Sequence, residues 1–209
     1  GSPDSDRKNT FQTMRWFCEK FKGRKDVGLI VKTNMGTNSI MDRKASLTSI
    51  RNYVNQIGLD GQNPKIYLLH GYLSPGEVAG LYKDSRVKCL ISGTRGEGFG
   101  LPMLEAAASK LPVIATNWSG HKDFLDKGKW LPVDYDLVRI PNERVDGSIF
   151  VEGARWAEPQ EKSFKYRLDK FYKNKGVPDS WTDSLSEEIR KHHSFDAACL
   201  QYDNLLSRV

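Results

Sequence analysis

The sequence predicts an α/β protein built on a Rossmann-like, doubly wound parallel sheet. Three observations carry that expectation. Short apolar runs ("KDVGLIVKT", "KIYLLHGY", "VKCLIS", "PVIAT") alternate with helical patterns. Such alternation favours parallel strands covered by helices on both faces. A helix-start signal follows the second run, and a glycine-rich loop follows the third and opens the next helix. In open sheets of this kind, ligands bind at the carboxyl ends of the strands.

The elements follow in order. In "TFQTMRWFCEKF" (10–21), Phe11, Met14, Phe17 and Phe21 recur at helical spacing, Trp16 and Cys18 widen the stripe, and Asn9 or Thr10 is the expected cap. Residues 25–33 read as a buried strand and "NMGTNS" as a loop. Residues 42–58 read as a helix capped by Asp42 and closed by Gly58. After the 65–72 strand, Ser74, Pro75 and Glu77 form a capping-box signature. The 87–92 strand leads through the loop to a helix from about Pro102 to Lys110, then to the 112–116 strand and a short helix in "NWSGHKDFL". The chain reads as one domain: a loop over 1–9, an α/β core over 10–133, a long, partly extended connection over 134–159, and closing helices over 160–209.

Composition narrows the function. No stretch approaches the roughly 20 apolar residues of a membrane-spanning helix, and the start shows no signal-peptide pattern. Gly1–Ser2 reads as an added remnant or as the cut end of a fragment. Cys18, Cys89 and Cys199 are far apart, odd in number and in apolar contexts, which predicts reduced thiols and a cytoplasmic protein. No metal-ligand spacing appears, and the adjacent His192 and His193 point in different directions on a helix. The net charge of +6 suits a phosphate-bearing ligand or a peripheral contact with an anionic membrane. Its Lys and Arg residues are scattered, which argues against nucleic acid.

The loop "TRGEGFGLPMLE" places Gly96, Gly98 and Gly100 at alternate positions ahead of a helix, with Glu97 among them and Glu105 eight residues later. Glycines let backbone N–H groups face a ligand, and a helix start adds partial positive charge; together they make a phosphate cradle. Acids repel phosphate, so the glutamates are either structural or aimed at hydroxyls on either side of it, as expected for a nucleotide-sugar. The spacing is neither a dinucleotide fingerprint nor a P-loop.

"EGFGLPMLEAAASKLPVIATN" resembles the E-x7-E region of retaining GT-B glycosyltransferases, the large group called group 1 or family 4. "DRKNTF", "HGYLSPGEVAGLY" and "GARWAEP" fit the same family at matching places, so the resemblance covers most of 6–160. It implies one half of a GT-B fold, the C-terminal donor-binding domain. In it, Glu97 contacts donor-sugar hydroxyls as the catalytic carboxylate and Glu105 holds the ribose. Backbone N–H groups around Phe99, Gly100 and Leu101 take the distal phosphate, with Gly98 beside them. Lys8, with Arg7, neutralises the diphosphate. Residues 70–73, with Tyr72 and Leu73, lie against the base. The resemblance implies no metal and no cofactor, only a nucleotide-diphosphate sugar as donor. The acceptor, a glycan or other hydroxyl compound, would be held by an N-terminal domain outside this chain, which would be inactive alone. The alternative is a sugar-nucleotide-binding module or subunit without transferase activity. Two local departures stand out: Lys110 sits where the family has glycine, and the strand arginine that precedes the family's lysine is missing.

Asp134-x-Asp136 would share a strand face but resembles a metal pair of a different fold. Asn117-Trp118-Ser119 is a formal glycosylation sequon that more naturally borders the donor site, with Gly120, His121 or Asp123 near the sugar. Trp156 is the tryptophan of greatest interest for packing or sugar contact; Asp4-x-Asp6 is a weaker acid pair.

Overall fold

The structure, a computed structural model, describes residues 6–34 and 36–207. Gly1, Ser2 and Asp4 lie outside the described residues. Helix α1 (Thr10–Lys20) leads to β1 (Gly28–Thr33), α2 (Ile40–Ile57), β2 (Lys65–His70) and α3 (Pro75–Lys83). Then come β3 (Leu90–Ser92), α4 (Leu101–Ala108), β4 (Val113–Thr116), the short α5 (Lys122–Leu125) and β5 (Leu131–Val133). An antiparallel ribbon of β6 (Tyr135–Arg139) and β7 (Arg155–Pro159) precedes α6 (Glu161–Lys173), α7 (Asp179–His193) and α8 (Phe195–Leu206).

The expected α/β alternation is present, with parallel pairing throughout the core. The ladders fall into two groups, however: β1 with β2, and β3, β4 and β5 in that order. The 87–92 strand pairs only over its last three residues. The Asp84 carboxylate binds both the backbone N–H and the guanidinium of Arg86, and Val87 N–H bonds Asp84 O at 2.9 Å. This turn consumes the start of the run. All four residues of β4 are buried, which is why its sequence is a continuous apolar run.

The core explains the helical periodicities. Trp16 and Phe17 of α1, with Phe21 at its end, pack with Ile114, Leu131 and Val133 of the sheet and with Phe164 and Leu168 of α6. Met103, Ala106 and Ala107 of α4 pack against Phe124, Leu125, and Leu185 and Ile189 of α7. The small alanines bring α7 close enough for Ser186 Oγ to donate to Ala108 O at 2.8 Å.

Several local expectations change. Ser39, not Asp42, caps α2; Asp42 is the reciprocal acid of the capping box, taking bonds from the Ser39 and Thr37 backbone. Those bonds hold the Asp42 carboxyl below the usual carboxylate range. At α1, Asn9 occupies the cap position in a left-handed conformation but makes no capping bond; Asp6 accepts from the Thr10 and Lys8 N–H groups instead, both at 3.0 Å. The 134–159 connection contains the ribbon, whose strand β6 is largely exposed and so lacks a one-sided apolar alternation. Asp134 and Asp136 serve α6: Asp134 accepts from Ser163 Oγ at 2.9 Å and Asp136 from Gln160 Nε2 at 3.1 Å.

Lys110 shows why glycine suits its position. Its φ is 63°, and Leu111 N–H to Ala106 O (2.9 Å) with Lys110 N–H to Ala107 O (3.0 Å) closes α4 as a Schellman motif. The left-handed backbone costs a side chain roughly 1–2 kcal/mol. The exposed Lys110–Asp183 pair at 2.7 Å returns about 0–1 kcal/mol. Lys110→Gly is therefore expected to stabilise the fold by about 0.5–1 kcal/mol in urea denaturation; a loss of stability would contradict this account.

Candidate functional site

The site forms where β3 ends. Gly93 is required there: a Cβ would lie 2.6 Å from Thr13 Oγ1, which accepts the Gly93 N–H at 3.2 Å. That close approach seats the start of α1 against the loop. The Arg95 N–H then donates to Arg7 O at 2.9 Å, so the segment before α1 runs beside residues 94–97.

Glu97 sits at the junction with its side chain 8% exposed. Lys8 Nζ donates to both carboxylate oxygens at 2.7 Å, Thr94 Oγ1 donates to Oε1 at 3.0 Å, and Arg7 Nη1 stands 3.3 Å from Oε2 while also bonding Gly96 O. Burial pushes this carboxyl upward, but the hydrogen bond and charge of Lys8, with Thr94 and Arg7, outweigh it and hold Glu97 below the ordinary glutamate range. The acid is therefore ionised at neutral pH.

The backbone of Glu97 is clamped as firmly as its side chain. Its N–H donates to Ser119 Oγ at 2.9 Å, the Ser119 hydroxyl donates back to Glu97 O, and the Gly120 N–H reaches the same carbonyl at 3.1 Å. A Cβ on Gly120 would fall 2.1 Å from Gly98 O. Gly100 has φ 91° and a Cβ there would meet His121 Cβ at 2.7 Å. His121 is fully buried, with Nε2 bonded to Thr116 O at 2.7 Å. Since a carbonyl only accepts, Nε2 carries the proton; burial, the largest influence, keeps the imidazole neutral by lowering its pKa. His121 is thus a buried support under Gly100.

Beyond Glu97 the chain turns into α4. Among the described residues, the N–H groups of Gly98, Phe99, Gly100 and Leu101 donate to no protein acceptor. Unpaired amides at a helix start form an anion-binding surface. The Phe99 ring is 40% exposed and packs against Phe124 and His193 at centroid distances of 5.4 and 5.9 Å.

The structure thus brings together Arg7, Lys8, Glu97, Gly98, Phe99, Gly100 and Leu101. Glu105 is exposed on α4. Burial, aided by the Glu105 charge, pushes the Tyr82 phenol up to about 12. Tyr72 is exposed and Leu73 half-buried after β2, and among the described residues no hydrogen bond or ring contact joins them to the loop. Sequence reasoning missed Thr94, Arg95 and Ser119, which carry no motif of their own. Ser119 lies in the sequon, whose Asn117 is half-buried. Among the described residues, no cluster of three or more His, Cys, Asp and Glu is arranged to hold a metal. Burial pushes the Cys18 and Cys89 thiols to about 11 and about 12, so both are inert at neutral pH. No helix among the described residues is long and apolar enough to cross a membrane.

Parallel strands with helices around a glycine loop, a buried acid and a helix start define a Rossmann-like half of a GT-B fold. Residues 59–137 match the model of the family described as glycosyl transferases group 1. It is 35% identical over 124 residues to an Escherichia coli serotype-specific mannosyltransferase, WbdA, covering 59% of this chain and 14% of that protein. It is 28% identical over 125 residues to a sucrose synthase from Denitrovibrio acetiphilus, covering 58% of this chain and 16% of the other. A glycosyltransferase structure from Rickettsia africae superposes with TM-score 0.64 at 14% identity, covering 96% of this chain and 44% of that one. The pneumococcal O-GlcNAc transferase GtfA, in complex with UDP and GlcNAc, gives 0.50 at 15% identity, covering 89% and 36%. These structural likenesses speak to the fold. The chain spans a minor part of each of these proteins.

Two outcomes follow from the geometry. Gly120→Ala is expected to cost about 2 kcal/mol or more, since its methyl group collides with backbone rather than with a yielding side chain; denaturation that left stability unchanged would refute the clamp. The depressed Glu97 pKa contributes stability that is present above the unfolded-state value of about 4.3 and lost as pH falls through the folded-state value. The stability gap between wild type and Glu97→Gln should therefore narrow below about pH 4, and a gap that widens there would reverse the assignment.

Proposed function

We propose that this chain is the donor-binding half of a retaining glycosyltransferase that moves a sugar from a nucleoside-diphosphate sugar to a hydroxyl acceptor without a metal. The observation that carries this reading is the Lys8 ammonium bridging both oxygens of Glu97 beside the unpaired amides of residues 98–101. Two cations here face one carboxylate, so the cluster holds net positive charge next to an anion-binding backbone.

A diphosphate arriving on those amides competes with Glu97 for Lys8 and Arg7. Their side chains are 48% and 37% exposed, so they can swing toward phosphate without leaving water. Charge-assisted bonds to phosphate are worth about 1.5–3 kcal/mol each, enough to share the cations between phosphate and carboxylate. Glu97, released in part, then accepts hydrogen bonds from sugar hydroxyls and stabilises positive charge developing at the anomeric carbon. Lys8, Arg7 and the α4 start stabilise the departing diphosphate as its charge grows. Glu105, one turn further along α4, takes the ribose hydroxyls, and residues 70–73 flank the base. The acceptor belongs to a second domain outside these residues. The identity to a mannosyltransferase makes mannose the first sugar to try.

A thermal-shift panel of UDP, GDP, ADP and their sugars tests the reading. One base series should raise the melting temperature, and Lys8→Ala should weaken that ligand by about tenfold or more, the loss of one charge-assisted contact. In a protein that also carries the acceptor half, Glu97→Ala should lower turnover at least about 100-fold. Intact turnover in that variant, or equal binding by Lys8→Ala, would remove the assignment.

A further inference from the structure

Lys8 and Arg7 reach Glu97 across a separation of about 90 residues, and their long side chains do not by themselves fix where the segment carrying them lies. Its two preceding carbonyls are both held by one residue. Arg95 Nη1 donates to Asp6 O at 2.6 Å and the Arg95 N–H donates to Arg7 O at 2.9 Å. The rest of the guanidinium engages β7. Nε and Nη2 form a two-pronged pair with Glu158 Oε2 and Oε1 at 2.6 and 3.0 Å, and the group lies over the Trp156 ring at 5.0 Å. Arg95 O accepts the Ala157 N–H at 3.0 Å, so β7 grips the same residue from both sides of its backbone and side chain.

Arg95 is 3% exposed, whereas the cations that meet Glu97 are half open to water. A buried guanidinium is retained only where its charge and donors are matched, and Glu158 matches both. With its charge neutralised and its donors occupied, Arg95 is not itself a phosphate contact. We propose that Arg95, locked by Glu158 and Trp156, is a positioning residue: it fixes the Asp6–Arg7 backbone so that Lys8 meets Glu97, and it thereby couples the β6–β7 ribbon to the donor site. The part of this inference that concerns donor affinity rests on the function proposed above; the part that concerns Lys8 and Glu97 does not. Lysine cannot replace Arg95 in this role, because a single ammonium lacks the planar fork that spans Glu158 and the Asp6 carbonyl together.

The test reads the Glu97 carboxyl directly, by NMR titration of the full chain carrying 13C-labelled glutamate, in wild type, Lys8→Met, Arg95→Met, Arg95→Lys and the Lys8→Met/Arg95→Met double variant. Lys8→Met sets the upward shift caused by losing the ammonium. Arg95→Met and Arg95→Lys should each reproduce at least half of that shift, and the double variant should add nothing to Lys8→Met. Inorganic pyrophosphate, titrated calorimetrically, should bind about tenfold more weakly to Arg95→Met, with little further effect when Lys8 is already replaced. A merely structural Arg95 would lower the melting temperature while leaving the Glu97 midpoint at its wild-type value, and that result overturns the proposal. Should Arg95→Met fail to fold, Glu158→Gln, which loosens the lock and leaves the cation, is judged by the same criteria. If Lys8→Met leaves pyrophosphate affinity unchanged while Arg95→Met still moves the Glu97 midpoint, the donor-site reading fails and the positioning role stands.

Discussion

The ionised, buried carboxylate of Glu97 is the constraint on which the rest of the site depends. A carboxylate with an 8% exposed side chain is tolerable only with charge and hydrogen bonds close at hand. Those partners come from two directions. Thr94 and the backbone clamp of Ser119 and Gly120 are supplied by the strand ends, while Lys8 and Arg7 arrive from the start of α1. The need to seat that helix start against β3 explains Gly93, and the need to bring the β4–α5 turn under the loop explains Gly120 and the left-handed Gly100. The glycines are placed by contact, at the positions where a methyl group would push apart the elements that hold Glu97.

The same constraint accounts for the division between polar and apolar parts of the fold. Two apolar clusters, one under α1 and α6 and one under α4 and α7, pin the helices whose starts border the loop. The α4–α7 cluster borders the site where Phe124 packs on the Phe99 ring. The functional atoms stand at the carboxyl ends of β3 and β4, where the strand carbonyls and helix starts leave the backbone free to bind. Under the proposed function, positive charge gathered on one acid, next to unpaired amides, would attract a diphosphate while keeping a carboxylate within reach of its sugar.

Much of this was legible in the sequence because the signals were local. Periodicity placed α1, the end signals around residues 42–58 placed α2, Ser74 and Glu77 announced α3, and the glycine spacing announced the loop that opens α4. What stayed hidden was what depends on contacts far apart in the chain. Nothing around Arg95 signals a partner at Glu158, 63 residues on, because a buried ion pair has no local periodicity. The ribbon reads in the sequence only as a long, partly extended connection, since an exposed β6 shows no alternation. The sequence offers Asp42 as the cap of α2, but a capping box pairs two polar residues, and Ser39, three residues earlier, is the one that caps. Lys110 departed from the glycine expected of the family, and only its φ of 63° shows why glycine is the favoured residue there.

The central claim is that the amides of residues 98–101 and the Lys8–Glu97 pair form one diphosphate site. The most direct measurement is a 1H–15N correlation titration of the full chain with inorganic pyrophosphate, the group shared by every candidate donor. The account predicts that the amide resonances of Gly98, Phe99, Gly100 and Leu101 move together and saturate at one affinity, with the Lys8 amide moving in step. Perturbations that saturate elsewhere on the surface while these amides stay still would contradict it.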